Sequence, residues 1–110
     1  MRAADLDLLQ GTLDLLVLKA LTFGPRHGYA IGQWLRESSD RTLNIEEGAL
    51  YTALHRMEQR RWLSAEWGLS ETNRKAKFYS LSALGRRQLR DKTTTWSAYA
   101  GAVFKVLQAS

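Results

Sequence analysis

The feature that most constrains this chain is a change of apolar period. Up to Trp62 the apolar residues recur at helical spacing, from Leu63 to Ser82 they alternate, and from Ala83 the helical spacing returns. Side chains line a helix face about every 3.6 residues and a strand face every second residue, so the pattern predicts helices, a hairpin, then a helix.

Leu9, Leu13, Leu16, Val17, Ala20 and Leu21 form one apolar strip, and Leu15 with Leu18 a second. Such a helix buries two sides, one in its own domain and one against the C-terminal helix or a second subunit. "FGPRHGY" ends it, because Pro25 cannot continue the hydrogen-bond ladder. A second helix from about Tyr29 to Glu37 carries Ile31, Trp34 and Leu35 on one face, and "SSDRTLN" is a turn. A third, from about Glu47 to Arg60, buries Ala49, Leu50, Ala53, Leu54 and Met57. It turns Thr52, His55, Arg56 and Gln59 outward, with Tyr51 at the border. Ala65, Trp67 and Leu69 then share one side of a strand, and Lys77, Tyr79 and Leu81 one side of another, with "SETNRK" as the exposed tip. Ser82 is placed to cap a last helix through about Leu107. There Leu89, Trp96 and Val103 fall seven apart, as do Lys92, Tyr99 and Val106. That is coiled-coil spacing, interrupted by Lys92 in an apolar slot and by "TTT" at 93–95, which weakens helix propensity.

The expected fold is mainly α with a small β-hairpin: a winged helix-turn-helix DNA-binding domain over 1–81 and a dimerisation helix over 82–110. At 110 residues the chain suits one unit. Asp5, Asp7, Asp14 and Lys19 interrupt the first apolar segment, which fits neither a secretory leader nor a membrane span, so a cytoplasmic location is expected.

The net charge of +5 is uneven, with ten Lys/Arg against four Asp/Glu in residues 55–92, which points to a polyanionic partner or to a plain solvated surface. With no cysteine, two histidines and no glycine-rich phosphate loop, the chain offers no catalytic site, and no metal or other cofactor is expected. In a winged helix-turn-helix the third helix enters the major groove of double-stranded DNA and the hairpin reaches phosphates. Thr52, His55, Arg56 and Gln59 suit base edges, while Arg74, Lys75 and Lys77 suit phosphates. A protein-interaction module on the same fold, or a dimer that binds a ligand without reading DNA, are the other readings of this pattern.

The blocks "LLQGTLDLLVLKAL", "HGYAI", "EEGALYTALHRMEQRRWL" and "NRKAKFYSLSALGRRQL" resemble, in order and spacing, the PadR family of bacterial transcriptional regulators over residues 8 to 90. The single C-terminal helix is similar to the short subfamily. The resemblance implies a homodimeric repressor on a palindromic operator, often released by a small aromatic effector. It places Tyr51 near DNA or packed on the second helix, and Tyr29 with Gly28 at a helix start whose backbone N–H groups hold a phosphate. Tyr79 matches a structural strand tyrosine. Trp96 matches an aromatic position of the dimerisation helix, where the ring either stacks on a flat ligand or packs in the dimer. Leu15, Leu18, Leu89, Trp96, Tyr99, Val103 and Val106 are the expected dimer contacts. The chain departs from the family at Arg61, usually glycine, at Thr52, often proline, and at Ser82, usually threonine.

Glu46 and Glu47 stand where a polyanion should dock. As helix starters their charge offsets the helix dipole by roughly 0.3 to 1 kcal/mol. The cap is either Asn44, at capping-box spacing from Glu47, or a residue nearer position 46.

Overall fold

The structure, a computed structural model, describes residues 3–110 and the side chains from Gly11 onward; Leu9, expected on the buried strip, lies outside the described side chains. Four helices and three strands follow in the order α1 (Ala3–Ala20), a 3-10 turn (Leu21–Phe23), β1 (Arg26–His27), α2 (Gly28–Ser38), α3 (Glu47–Gln59), β2 (Leu63–Leu69), β3 (Lys75–Leu81) and α4 (Ala83–Leu107). This is a winged helix with a long C-terminal helix.

α1 runs through the middle of the domain, touching α2, α3 and α4. Its buried arc is therefore wider than one strip. Leu13, Val17, Ala20 and Leu21 are buried as expected, but so is Leu18, with no surface exposed. Leu18 was expected at the dimer contact; it is a core residue, because the helices around α1 close over that side as well. Leu15 stays partly open beside Trp96 and Tyr99.

The core joins these residues to Ile31 and Leu35 of α2, Leu50, Ala53, Leu54 and Met57 of α3, and Trp62, Leu63 and Tyr79. Each fully buried large aliphatic chain contributes roughly 1.5–3 kcal/mol. Ala49, expected in this set, is exposed, since it lies on the flank of the α3 stripe rather than at its centre.

β1 was not expected. Its two residues pair antiparallel with β3, Arg26 opposite Tyr79 and His27 opposite Phe78, so the sheet has the order β1-β3-β2. Two residues are too few to show alternation, and "FGPRHGY" carries only its terminator signal. The expected hairpin is present, paired from Leu63 opposite Leu81 to Leu69 opposite Lys75. Only its base reaches the core: Leu63 and Tyr79 are buried, whereas Trp67 and Leu69, on the same side of β2 as Leu63, are each 65% exposed.

α3 ends in a Schellman turn: the Arg61 N–H donates to the Glu58 carbonyl at 2.9 Å and the Trp62 N–H to the Met57 carbonyl at 3.0 Å. Arg61 occupies the left-handed position with φ 62°. This is the conformation for which glycine is the usual choice. The turn delivers Trp62 to the start of α4. Ser82 caps that helix, its Oγ accepting from the Gly85 N–H at 3.0 Å and lying 2.7 and 2.9 Å from the carbonyl oxygens of Arg61 and Trp62. A Cβ at Gly85 would collide with the Trp62 carbonyl, so residue 85 must be glycine for the two segments to meet.

Lys92, the cation in the apolar seam, holds its Nζ 5.1 Å from the centre of the Trp62 ring, which accounts for a charge at that position. The Thr93 hydroxyl donates to the Leu89 carbonyl at 2.7 Å, and α4 continues unbroken through the three threonines. Its last turns expose Tyr99, Val103, Phe104, Val106 and Leu107. Among the described residues no helix is long and apolar enough to cross a membrane.

Replacing Arg61 by glycine removes the left-handed strain and raises stability by about 1 kcal/mol. A higher urea midpoint with an unchanged slope is the expected outcome, and a lower midpoint would show that the Arg61 side chain itself supports the turn.

Candidate nucleic-acid interface

The outward line of α3 is Gly48, Thr52, His55 and Gln59, all exposed. These positions follow from burying Leu50, Ala53, Leu54 and Met57 on the other side of the helix. Arg56 leaves this face. Its guanidinium hydrogen-bonds the buried Asp14 carboxylate, tying α3 to α1. Arg56, expected among the base-edge residues, is instead a structural partner, because helical spacing alone does not reveal an acid on another helix.

α3 opens at Glu47, and Glu46 is its N-cap, extended at φ −62° and ψ 135°, with no side-chain cap hydrogen bond. Its carbonyl accepts the first helical bond, from the Leu50 N–H at 3.0 Å. Both acids therefore sit at the positive end of the helix dipole, and Asn44 is not the cap.

Tyr51 lies against the first turn of α2. A Cβ built on Gly28 would fall 2.6 Å from its ring, so the missing side chain at 28 is what seats the tyrosine there. The ring is still partly exposed, so packing on α2 leaves an edge facing solvent. Tyr29, 69% exposed, stands beside it. Tyr29, Tyr51, Trp67, Lys75, Lys77 and Glu71 are among the residues around one open cleft of about 700 Å³ between α2, α3 and the wing.

The wing cations differ in what they do. Lys77 bonds Glu58 of α3 at 2.8 Å, and this bond raises its pKa above the ordinary lysine value. Tyr79, beneath it, has its phenol raised by burial. Lys75 lies 5.3 Å from the Trp67 ring centre, at the wing surface. Arg74 is exposed and makes no ion pair among the described residues. Glu71 at the tip turns back toward His27, with Oε2 3.3 Å from Nε2. Its carboxyl is held below the usual carboxylate range, first by its own backbone N–H and then by His27. Of the residues named from sequence, Tyr29, Tyr51, Arg74, Lys75 and Lys77 thus gather around the cleft, with Thr52, His55 and Gln59 on the free face of α3. His27, Trp67 and Glu71 join the site unannounced, since nothing in their spacing ties them to it.

A second cleft, of about 530 Å³, lies between α1 and α4, lined by Thr12, Leu15, Lys92, Thr95, Trp96 and Tyr99 among others. The Trp96 indole N–H donates to the Thr12 hydroxyl at 3.2 Å, leaving its ring partly exposed. Of the expected dimer contacts, Tyr99, Val103 and Val106 are exposed along α4, and Leu89 packs partly into the domain.

Residues 17–91 match the family described as the transcriptional regulator PadR-like family. A curated protein from Lysinibacillus sphaericus, described only as an uncharacterized protein, is 28% identical over 91 residues, covering 83% of this chain and 84% of its own. The fold is similar to that of a PadR family transcriptional regulator from Eggerthella lenta, at 31% identity and a TM-score of 0.79, covering 98% of this chain and 92% of that one. It is also similar to a transcriptional regulator from Clostridium thermocellum, at 25% identity and a TM-score of 0.82, with 96% of each chain covered.

Arg56→Ala leaves Asp14 buried without its partner and lowers stability by about 2 kcal/mol. His55→Ala, on the free face, stays within about 0.5 kcal/mol of the unmodified chain. Urea denaturation separates the two, and equal midpoints would remove Arg56 from its structural role.

Proposed function

The chain belongs to the PadR-like family of transcriptional regulators, DNA-binding proteins and not enzymes, and from that premise we propose that it is a cytoplasmic repressor acting as a homodimer on a palindromic operator. In this account residues 1–81 read DNA and residues 82–110 join the subunits. The observation that carries it is the exposed line Thr52, His55 and Gln59 on α3, together with a cleft between α2, α3 and the wing that Tyr29, Tyr51, Arg74 and Lys75 help to line.

Thr52, His55 and Gln59 meet base edges, where hydroxyl, imidazole and amide groups donate or accept. Tyr29, Tyr51 and the N–H groups at the start of α2 hold the backbone on one side of the groove, and Arg74 and Lys75 on the other. Lys77 acts chiefly through Glu58, and Arg56 through Asp14, so Lys77 is not assigned a phosphate nor Arg56 a base. Two reading helices in successive major grooves stand about 34 Å apart. Leu15, Trp96, Tyr99, Val103 and Val106 form the subunit contact, because their apolar surface needs cover that the single chain does not supply. The cleft beside Trp96 takes a small planar aromatic effector, which displaces the dimer from DNA by favouring a different subunit arrangement.

Fluorescence anisotropy with duplex from the chain's own promoter tests the account. Raising salt weakens binding steeply, Lys75→Ala weakens all duplexes alike and lowers the salt slope by about one, and Gln59→Ala changes the preferred sequence. Random duplex competing as well as promoter duplex would favour a protein-interaction module instead.

A further inference from the structure

The wing tip holds an acid where phosphates are expected to dock. Glu71 lies in the loop between β2 and β3, three residues before Arg74, and its side chain is 79% exposed. Coulomb repulsion alone disfavours a carboxylate at that position. Its partner supplies the reason for it.

His27 is the N-cap of α2, and its Nδ1 accepts from the Ala30 N–H at 3.1 Å. A backbone N–H can only donate, so Nδ1 carries no hydrogen. The neutral ring therefore bears its hydrogen on Nε2, which is directed at Glu71 Oε2, 3.3 Å away. The ring is nearly enclosed, its side chain 11% exposed, and it meets Phe78 of β3 edge-on with centroids 5.3 Å apart. One imidazole thus joins the start of α2, the middle strand and the wing tip.

The tip needs such an anchor. β1 pairs only with Tyr79 and Phe78, so among the described residues positions 75–77 of β3 have β2 as their sole strand neighbour. Lys77 ties this part of the wing to α3 through Glu58, and Glu71 ties it to α2 through His27.

We propose that His27 and Glu71 form a clasp that fixes the wing against the N-terminus of α2, and that both are positioning residues for DNA binding. The clasp sets how far Arg74 and Lys75 stand from the Tyr29–Tyr51 side of the cleft, and hence which phosphates the two sides grip together. This rests on the DNA-binding account given above.

The test turns on a sign. Glu71→Ala removes a negative charge beside phosphates, so simple electrostatics makes it bind DNA more tightly; the clasp makes it bind roughly threefold more weakly at fixed salt. Glu71→Gln keeps an acceptor oxygen without the charge, and restores at least the unmodified affinity. His27→Asn preserves the cap, since asparagine accepts from a helix N–H, but removes the ring that reaches the wing. It weakens binding as Glu71→Ala does, and the double variant is no weaker than either single one. Without DNA, Glu71→Ala speeds amide hydrogen exchange across residues 70–75. Tighter binding by Glu71→Ala, or unchanged exchange at the tip, overturns the clasp. Failure of the unmodified chain to bind any duplex overturns the DNA-binding account instead, and is told apart because exchange is measured without DNA.

Discussion

The fold depends on the junction of Trp62 with Ser82. At this point the end of α3, the base of the hairpin and the start of α4 share a few hydrogen bonds. The Trp62 carbonyl accepts from the Ser82 N–H at 3.1 Å, and Gly85 gives it the space to do so. The Trp62 ring lies under two cations, Arg60 from the α3 end and Lys92 from α4. Because α3 carries the exposed polar line and α4 the exposed apolar one, a rigid junction here fixes the angle between them. In a homodimer that angle would set the separation of the two reading helices, and a ligand that altered the α4 contact would act on DNA through this same joint.

Charge is distributed with the same economy. Asp14 engages Arg56, Glu58 engages Lys77 and Glu71 engages His27, and each pair joins two elements. The pairs take up Arg56 and Lys77 and draw Glu71 toward His27, while Arg74 and Lys75 stay exposed at the wing edge and Glu46 and Glu47 at the α3 start. Arg86, Arg87 and Arg90 of α4 are exposed as well, so the basic stretch presents cations on α4 in addition to the wing.

Much of the fold was legible because it is periodic. The α3 stripe, the hairpin with its tip and the Ser82 cap all follow from spacing and residue type, and the family blocks fix their order. Legibility failed where the determinant is tertiary. Leu18 looks like an outer residue until helices close over it, and Ala49 looks buried until the core's centre is known. β1 is too short to have a period. Arg56 and Glu71 carry side chains suited to DNA or to solvent, and only partners 42 and 44 residues away decide otherwise. Arg61 stood out as a departure from the family's glycine, and its left-handed backbone gives the reason that glycine is usual there.

Under the proposed function one face, made by the α2 start, the free side of α3 and the wing tip, receives DNA. An amide chemical-shift titration of the isotope-labelled chain with promoter duplex tests it most directly. The account predicts that perturbations concentrate at residues 28–30, 48–59 and 70–77 and spare the last turns of α4. Shifts centred instead on Arg86, Arg87 and Arg90, or on the α1–α4 cleft, would contradict it.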